Sequence, residues 1–451
     1  MRGFAISNKA KAGRSHSKGK ESLPRHIAFK LFLEYSQDKL TKNGNTLQMF
    51  RFITATYHRL IDNLTSSQTR YLYSSFNLNN RLTGLVGARG VGKTTLLLQY
   101  IKKELYKEGK CFYFSADLVY FQQINLLNFV SDLHLIEGYQ TICIDEIHKY
   151  HGWNQELKNL YDSFPNLKII FSGSSQLDLV EGSHDLSRRA KLYRLQGLSF
   201  REYLNFSLGF HLKPFSFEEI INEPQSCLNK LKDVEKILPH FNQYLKNGYY
   251  PFVFEDPQSY YEKISRVIEK TIFEDIANYY NLKTPNLHYF KQLLTYLASI
   301  PPGDLNAHNL SKNLGIDHKT VEHYLAILAS VGLIRQMRPY EGGSVGMRKP
   351  SKILLNNTNL IHTIQQYLGN GVSKGMEREL FFVQSLQNAG IEIFYSKQAD
   401  YRTNKYIFEI GGKNKTKTQL KEIKEPSYLV KDDILQSLQG EIPLFLFGFL
   451  Y

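Results

Sequence analysis

The sequence is poor in the residues that build disulfide frameworks and membrane spans. Its 451 residues include only three cysteines and one tryptophan. Scattered cysteines exclude a disulfide framework and a zinc site, and Cys111 and Cys143, which lie in apolar runs, are predicted to be buried thiols. The longest uncharged apolar run extends only from Ile442 to Tyr451, whereas a spanning helix needs about 18 residues. We therefore expect a cytoplasmic protein without a membrane span or a secretory leader.

Acidic residues are outnumbered by basic ones. The chain has 56 Lys and Arg against 42 Asp and Glu, a net charge of +14. Part of this excess lies at the N-terminus, where residues 1–24 are predicted to form a disordered basic tail. The tail is consistent with a solvated segment, an arm that binds nucleic acid, or a transit peptide. The rest of the chain has the apolar content of a globular protein, 42%.

The order of apolar runs predicts several domains. Helical stretches before Leu82, one from about Leu47 to Leu64, are followed by short strands that alternate with helices, which predicts an α/β fold with a parallel sheet. The predicted divisions are a core over 25–208, a helical linker or lid over 209–300 that opens with a polar linker, a helix-turn-helix unit over 301–371, and an α/β domain over 372–451 that ends in a strand. Pro301, Pro302 and Gly303 mark one of these boundaries.

A complete phosphate-binding motif opens the core. Residues 87–94 match GxxxxGK[ST], after an apolar strand and at the start of a helix. The backbone N–H groups of such a loop and the helix N-terminus bind polyphosphate. Lys93 is predicted to contact the β and γ phosphates of ATP, and the Thr94 hydroxyl to bind Mg²⁺. The predicted nucleotide-binding residues are Gly87, Ala88, Arg89, Gly90, Val91, Gly92, Lys93, Thr94 and Thr95.

An acidic pair follows a second apolar strand, some 50 residues later. Asp145 ends the strand and is predicted to hold Mg²⁺. The adjacent Glu146 is placed to activate water as a general base. His148 and His151 lie just beyond, and without a further ligand nearby we interpret them as loop residues.

Four further residues are candidates for contact with phosphate. The next strand leads into Ser174 and Ser175, at the position where related ATPases carry a polar residue that senses the γ-phosphate. Arg188 and Arg189 follow, and an arginine in either place can stabilise phosphate charge within its own chain or in a neighbouring copy. The sequence equally permits an ordinary polar loop and surface charge at these positions.

Several segments beyond these motifs resemble one family of prokaryotic AAA+-like ATPases, which have an N-terminal ATPase core and a C-terminal domain of unknown function. The matching segments are residues 144–150, Trp153, and residues 167–175, 186–190, 198–204, 244–251 and 442–451. The resemblance implies a P-loop NTPase core that hydrolyses ATP with Mg²⁺. It also implies that the C-terminal half holds a winged helix and a region similar to restriction nucleases.

The predicted winged helix has the right apolar spacing between Leu305 and Met337, with a turn at Gly315. His318, Lys319 and His323 are expected to face outward on its second helix, where they can contact either DNA or another protein.

The nuclease-like region departs from its pattern. Glu379, Asp400 and Glu409 follow the order of acids that bind Mg²⁺ in such nucleases, but Gly411 stands where the lysine two residues after the last acid is required. Lys413 is the nearest candidate replacement. We therefore predict a degenerate site whose lysines at 413, 415, 417 and 421 bind nucleic acid without cutting it.

Together these observations predict an ATPase that controls a C-terminal binding or effector region. One alternative is a nucleic-acid enzyme whose ATPase core regulates an active nuclease, and another is a slow nucleotide-dependent switch for a protein partner. Nucleic acid, a protein and a second copy of the chain all remain candidate partners. The sequence does not identify the pathway.

Overall fold

The computed structural model describes residues 44–64, 68–173, 186, 188–301, 307–340 and 352–451. Four predicted features lie outside these residues: the basic tail, the helical stretch before Leu47, Ser174 with Ser175, and Pro302 with Gly303. In the described part of the chain, no helix has the length and apolar character needed to cross a bilayer.

The core is a five-stranded parallel sheet in the order β2-β3-β4-β1-β5. Its strands are β1 (Leu82–Val86), β2 (Cys111–Ser115), β3 (Thr141–Asp145), β4 (Lys168–Gly173) and β5 (Ala190–Arg194). Every residue of β1 and β3 is buried, as in parallel sheets that helices cover on both faces. The predicted α/β fold is confirmed: it is that of a P-loop NTPase, with β4 inserted between the two strands that carry the motifs.

Helices flank this sheet. They are α1 (Gly44–Asp62), α2 (Lys93–Tyr100), which continues as a π-helical segment (Ile101–Leu105), α3 (Leu126–Leu135) and α4 (Trp153–Ser163). Ile53, Tyr57 and Ile61 of α1 are buried at helical spacing, as the sequence predicts. Cys111 and Cys143 are buried free thiols on neighbouring strands, also as predicted.

A helical region follows the core. It contains α5 (Phe200–Leu208), α6 (Phe217–Asn222), α7 (Pro224–Lys230), α8 (Ile237–Asn247), α9 (Tyr260–Lys270), a π-helical turn (Thr271–Ile276), α10 (Ala277–Tyr280) and α11 (Thr284–Ser299). The expected polar linker at its start is instead partly helical. Ser216 and Glu219 cap α6 reciprocally, and this capping box offsets the low apolar content that suggested a linker.

A helix pair and a hairpin come next. The pair is α12 (Ala307–Leu314) and α13 (His318–Ser330), and the hairpin is β6 (Ile334–Met337) with β7 (Lys352–Leu355) in antiparallel register. Gly315 turns between the helices with a φ of 66°, and the Asp317 side chain caps α13. His318, Lys319 and His323 are exposed, as expected.

The C-terminal region combines α14 (Thr358–Leu368) and α15 (Lys374–Asn388) with a second sheet in the order β12-β11-β10-β9-β8. Its strands are β8 (Phe394–Tyr395), β9 (Tyr401–Arg402), β10 (Ile407–Gly411), β11 (Ser427–Lys431) and β12 (Glu441–Pro443). The three strands β10, β11 and β12 are parallel, whereas β8 and β9 are antiparallel additions at one edge.

The predicted final strand is present but short. β12 has only three residues, and Leu444–Phe449 forms a 3-10 helix whose side chains are all buried. A uniformly apolar run carries no periodicity that separates strand from helix. This segment returns to the core, where Ser199 Oγ and Arg201 Nε donate to the Tyr451 carbonyl oxygen at 2.8 and 2.9 Å. The C-terminal region is therefore packed directly on α5.

Candidate functional site

The phosphate loop joins β1 to α2 and depends on glycine at specific points. Gly90 and Gly92 adopt positive φ angles of 85° and 97°, a conformation that other residues rarely adopt. A Cβ on Gly87 would collide with the Leu195 carbonyl oxygen. The loop conformation thus requires the glycines of the motif.

Lys93 lies within this loop. Its side chain is buried, and Nζ donates to the carbonyl oxygens of Gly87 and Ala88 at 3.0 and 3.1 Å. Burial lowers the pKa of the ammonium group, and the nearby carboxylates of Glu146 and Asp145 oppose this shift. The loop therefore presents a lysine that its own carbonyls orient at the N-terminus of α2.

Asp145 is held by side chains from three other segments. Thr94 Oγ1 and Tyr113 OH donate to its Oδ2 at 2.7 and 2.9 Å, and Ser172 Oγ donates to its Oδ1. Burial, with the Asp145 charge adding to it, raises the pKa of the Tyr113 hydroxyl, so Tyr113 stays a donor. The structure thereby joins the two residues predicted to hold Mg²⁺, Thr94 and Asp145.

This donor set fits Mg²⁺. The cation prefers oxygen ligands and commonly binds one or two carboxylates together with substrate phosphates. A hydroxyl and a carboxylate in contact beside the phosphate loop supply such oxygens. The described ranges contain no group of three or more His, Cys, Asp or Glu side chains that could hold a metal ion by themselves.

Glu146 has an unusual backbone conformation. Its φ of 50° lies in the left-handed region, which is uncommon for a residue with a side chain and occurs often at functional sites. The Glu146 N–H donates to Asp145 Oδ1 at 3.2 Å and to Ser172 Oγ at 3.1 Å. The carboxylate is partly exposed, with Oε2 at 3.4 Å from His148 Nε2. Asp145 and Ser172 thus accept from the Glu146 N–H and leave its carboxylate accessible to a water molecule.

Two acids from the helical region contact the same site. Asp275, on the π-helical turn between α9 and α10, binds Arg89 Nη2 at 2.9 Å and Lys149 Nζ at 3.0 Å. Its neighbour Glu274 binds the same two groups at 3.5 and 3.3 Å. Arg89, a predicted nucleotide-binding residue, thus directs its guanidinium to these acids.

An aromatic segment packs on the phosphate loop. A Cβ on Gly90 would lie 3.1 Å from the Phe252 ring and 3.5 Å from the Tyr250 ring. The start of α14 supports this segment, since Asn357 Nδ2 donates to Tyr250 OH at 3.3 Å. The C-terminal half therefore contacts the loop through packed side chains as well as through ion pairs.

Behind the loop, Arg70 forms a buried ion pair. Its Nε lies 3.0 Å from Glu202 Oε1, and its Nη1 donates to the Val91 carbonyl oxygen at 2.5 Å. Glu202 belongs to the capping box of α5. This pair anchors the loop to the helix that also receives the C-terminal segment.

Other predicted phosphate contacts are absent from this arrangement. Arg188 and Arg189 precede β5, which runs parallel to β1. They therefore lie at the amino-terminal ends of these strands, whereas the phosphate loop follows the carboxyl-terminal end of β1. Arg188 is exposed, and Arg189 Nε binds Asp162 at 3.1 Å. Neither arginine lies near the phosphate loop of its own chain in this arrangement, and contact with phosphate, in the same chain or from a neighbouring copy, stays a prediction. Ser174 lies outside the described residues. Thr95 is exposed on α2.

The three acids of the nuclease-like region interact electrostatically, although Glu379 lies on α15, Asp400 directly precedes β9 and only Glu409 lies in a strand, β10. Burial raises the pKa of Asp400 to about 6, and Glu379 and Glu409 add to this shift. Glu379 accepts from Lys352 Nζ and Tyr401 OH, both at 2.7 Å. Lys352 comes from β7 of the hairpin, so a cation from outside the region already neutralises one of the acids.

Lys415, rather than the predicted Lys413, contacts the last of these acids. Lys415 Nζ binds Glu409 Oε1 at 2.6 Å, whereas Lys413 is exposed. A Cβ on Gly411 would overlap the Lys415 side chain. Because Gly411 has no side chain, Lys415 from the following loop can reach Glu409. The rule that side chains two residues apart on a strand share a face does not reveal this contact.

Only two of the four lysines predicted to bind nucleic acid are exposed, because the other two have partners within the protein. Lys417 Nζ donates to the Gln439 carbonyl oxygen, and Lys415 is committed to Glu409. Lys413 and Lys421 are exposed and accessible to a phosphate backbone.

Sequence reasoning missed several residues at these sites. They are Arg70, Tyr113, Lys149, Ser172, Glu202, Glu274, Asp275 and Lys352. Ser172 directly follows the apolar residues of β4, and a polar residue at the end of such a run was a usable signal. The acids of the π-helical turn gave none, because no motif surrounds them.

Two family matches agree with this geometry. Residues 79–204 match the family described as an AAA domain, and residues 238–372 match a domain of unknown function. An uncharacterized protein of Methanocaldococcus jannaschii is 31% identical over 291 residues. That alignment covers 61% of this chain and spans 61% of the relative's length.

The solved structures to which this chain aligns are distant from it. An Aeropyrum pernix ORC1 protein in complex with DNA aligns over 69% of this chain and 92% of its own, with 13% identity and a TM-score of 0.28. AMPPCP-bound DnaA from Aquifex aeolicus aligns over 61% of this chain and 88% of its own, with 18% identity and a TM-score of 0.23. TM-scores this low do not establish a common fold. The sheet order, the motif geometry and the similarity of residues 79–204 to AAA domains together identify the core as a nucleotide-binding P-loop fold.

Proposed function

We propose that this protein hydrolyses ATP at the phosphate loop and uses the nucleotide state to control its C-terminal half. The observation that carries the proposal is the 2.7 Å contact between Thr94 Oγ1 and Asp145 Oδ2. Two motifs some 50 residues apart converge there on a hydroxyl and a carboxylate, the oxygens that a nucleotide-bound Mg²⁺ requires.

The residues divide the chemistry among them. The loop N–H groups and the N-terminus of α2 bind the phosphates, and Lys93 contacts the β and γ phosphates. Thr94 and Asp145 would hold Mg²⁺, which would neutralise charge on the phosphate oxygens. Glu146 accepts a proton from water while the water oxygen bonds to the γ-phosphorus. The bond from that phosphorus to the bridging oxygen breaks, which releases ADP and phosphate.

The C-terminal half is the proposed target of this control. Tyr250, Phe252 and Asp275 lie against the loop or its arginine, so a change in loop conformation has a direct contact through which to act. The exposed residues of α13, together with Lys413 and Lys421, favour nucleic acid as a partner. A protein partner at α13 is the alternative.

The decisive experiment measures phosphate release by the full chain over a series of protein concentrations, with and without DNA. We expect Mg²⁺-dependent turnover that Lys93→Ala removes. A specific rate that rises with protein concentration would indicate a site shared between copies, and stimulation by DNA would favour a nucleic-acid partner. Equal turnover by the wild-type and Lys93→Ala proteins would refute the ATPase assignment.

Nucleic-acid cleavage is a second candidate function, because Lys415 restores a lysine beside Glu409. The Lys352–Glu379 pair argues instead for the binding role that we favour, since Lys352 neutralises an acid that a metal ion would need. Incubation of the full chain with DNA or RNA and Mn²⁺ separates the two. Cleavage that both Asp400→Ala and Lys415→Met abolish would establish the nuclease, whereas binding without cleavage supports the first assignment.

A further inference from the structure

The acidic pair Glu274–Asp275 occupies a notable position relative to the nucleotide site. It lies on the π-helical turn Thr271–Ile276, about 180 residues after the phosphate loop, within the segment that matches a domain of unknown function. Both acids bind Arg89, inside the loop, and Lys149, just after Glu146. One turn of the C-terminal half therefore joins the two segments that surround the phosphates.

Asp275 is the stronger member of this pair. Its side chain is 5% exposed and Glu274 is 44% exposed. Burial alone would raise the pKa of Asp275, but His148, Arg89 and Lys149 together hold it below its usual range. Asp275 is therefore a permanent negative charge with two strong cationic partners and a histidine at 3.9 Å.

The cations of this cluster are the ones that a polyphosphate would attract. Arg89 belongs to the loop itself, and Lys149 follows the predicted base by three residues. While Glu274 and Asp275 bind them, their charges are balanced by two carboxylates. Arg89 also retains an unused donor, because its buried Nε has no hydrogen-bond partner among the described residues. The carboxylates thus do not satisfy the guanidinium completely.

We propose that Asp275 is a positioning residue that holds Arg89 and Lys149 away from the nucleotide phosphates, so that ATP and the π-helical turn compete for the same two cations. Such coupling is reciprocal: ATP weakens the docking of the turn by the same factor by which the turn weakens ATP binding. The inference rests on the proposed function, and it names the contact through which the nucleotide acts on the C-terminal half.

The contact has room to change. A cavity of about 410 Å³ lies beside the acidic pair, lined by residues 148–154 and by Asn278 and Tyr279 of α10. The turn can therefore shift without first displacing a close-packed core on that side.

The test is an ATP titration of the full chain at low salt, with Mg²⁺ present and turnover blocked by Glu146→Gln. In that background, Asp275→Asn should tighten ATP binding by about fivefold or more, the lower range of measured coupling between sites. Glu274→Gln should tighten it less, because Glu274 is more exposed. Asp275→Glu, which retains the charge, should restore an affinity close to that of the parent.

A double-mutant cycle separates this role from a merely structural one. When Arg89→Ala and Lys149→Ala are both present, Asp275→Asn should change ATP affinity by less than about twofold, since nothing remains for the acid to hold. An equal effect of Asp275→Asn in both backgrounds, or weaker ATP binding caused by Asp275→Asn in a folded protein, would overturn the proposal. Thermal unfolding of each variant checks folding.

Failure of this inference is distinguishable from failure of the proposed function. If ATP binding depends on Lys93 but not on Asp275, the positioning role is wrong and the nucleotide site stands. If no variant or parent binds ATP in a Lys93-dependent way, the proposed function itself is wrong.

Discussion

Arg70 and Glu202 form a buried ion pair at 3.0 Å, and the same guanidinium donates to the Val91 carbonyl oxygen of the phosphate loop. Arg70 precedes the core sheet in the chain and Glu202 follows it. The pair therefore joins the segments on either side of the sheet next to the phosphate loop. The C-terminal segment packs on the same helix, where Ser199 and Arg201 donate to Tyr451. The rear of the nucleotide site is thus one connected set of contacts.

Glu202→Gln should reduce stability strongly, because it leaves the Arg70 charge buried without its partner. Breaking a buried pair in this way typically costs about 3–5 kcal/mol of unfolding free energy. The matched control is Glu269→Gln, which breaks the exposed pair with Lys291 and should cost less than about 1 kcal/mol. Thermal unfolding measures both, and similar losses in the two variants would contradict the prediction.

Lys93→Ala should abolish ATP hydrolysis and weaken nucleotide binding. The ammonium is the charge that we expect to contact the β and γ phosphates. Its present partners are carbonyl oxygens of the phosphate loop, so the fold should survive. Phosphate release and ATP titration measure the change, and the exposed Lys107→Ala variant is a suitable control. Normal turnover in a folded Lys93→Ala protein would count against the core assignment.

Glu146→Gln should bind ATP and fail to hydrolyse it. An amide cannot accept the proton, whereas Asp145 and its hydrogen bonds remain in place. Loss of a general base commonly costs 10²–10⁴-fold, as an order-of-magnitude expectation. Single-turnover measurements with radiolabelled ATP give the rate, with the exposed Glu108→Gln as control. A rate close to that of the wild-type protein would place water activation elsewhere.

Lys413→Ala with Lys421→Ala should weaken binding of single- or double-stranded nucleic acid to the full chain and flatten its dependence on salt. Each phosphate contact that is lost lowers the number of counterions released on binding, and this number sets the dependence of affinity on salt. Lys417→Ala should have a smaller effect, because Lys417 already binds Gln439. Titrations at several salt concentrations provide the slope, and an unchanged slope in the double variant would exclude these lysines from the interface.

Asp400→Asn should stabilise the protein near neutral pH. The folded-state pKa of Asp400 is raised to about 6 from 3.8, so the folded state binds more protons than the unfolded state between these values. The free energy of unfolding therefore falls as pH rises from about 4 to about 6, and it stays at this lower value above pH 6. The unfolding free energy of the variant should exceed that of the parent protein by on the order of 1–3 kcal/mol at pH 7.5 and by almost nothing near pH 4. A gain independent of pH would contradict the assignment.

Local sequence predicted much of the core. The phosphate loop and the acidic pair after β3 are contiguous motifs, and strand-helix alternation predicted the parallel sheet, because each depends on residues close together in the chain. The final apolar run was harder. Leu444–Phe449 is buried on all sides, so it lacks the periodicity that distinguishes a helix from a strand.

The sequence by itself determined the chemistry of the nucleotide site: which loop can bind phosphates, and that Thr94, Asp145 and Glu146 belong to it. Only the tertiary structure decided what surrounds this site. Asp275 reaches Arg89 from 186 positions away, Lys415 fills the space above Gly411, and Arg188 and Arg189 lie at the far edge of the sheet. Such contacts depend on how distant elements pack, and no local pattern of charge or apolar spacing encodes that packing.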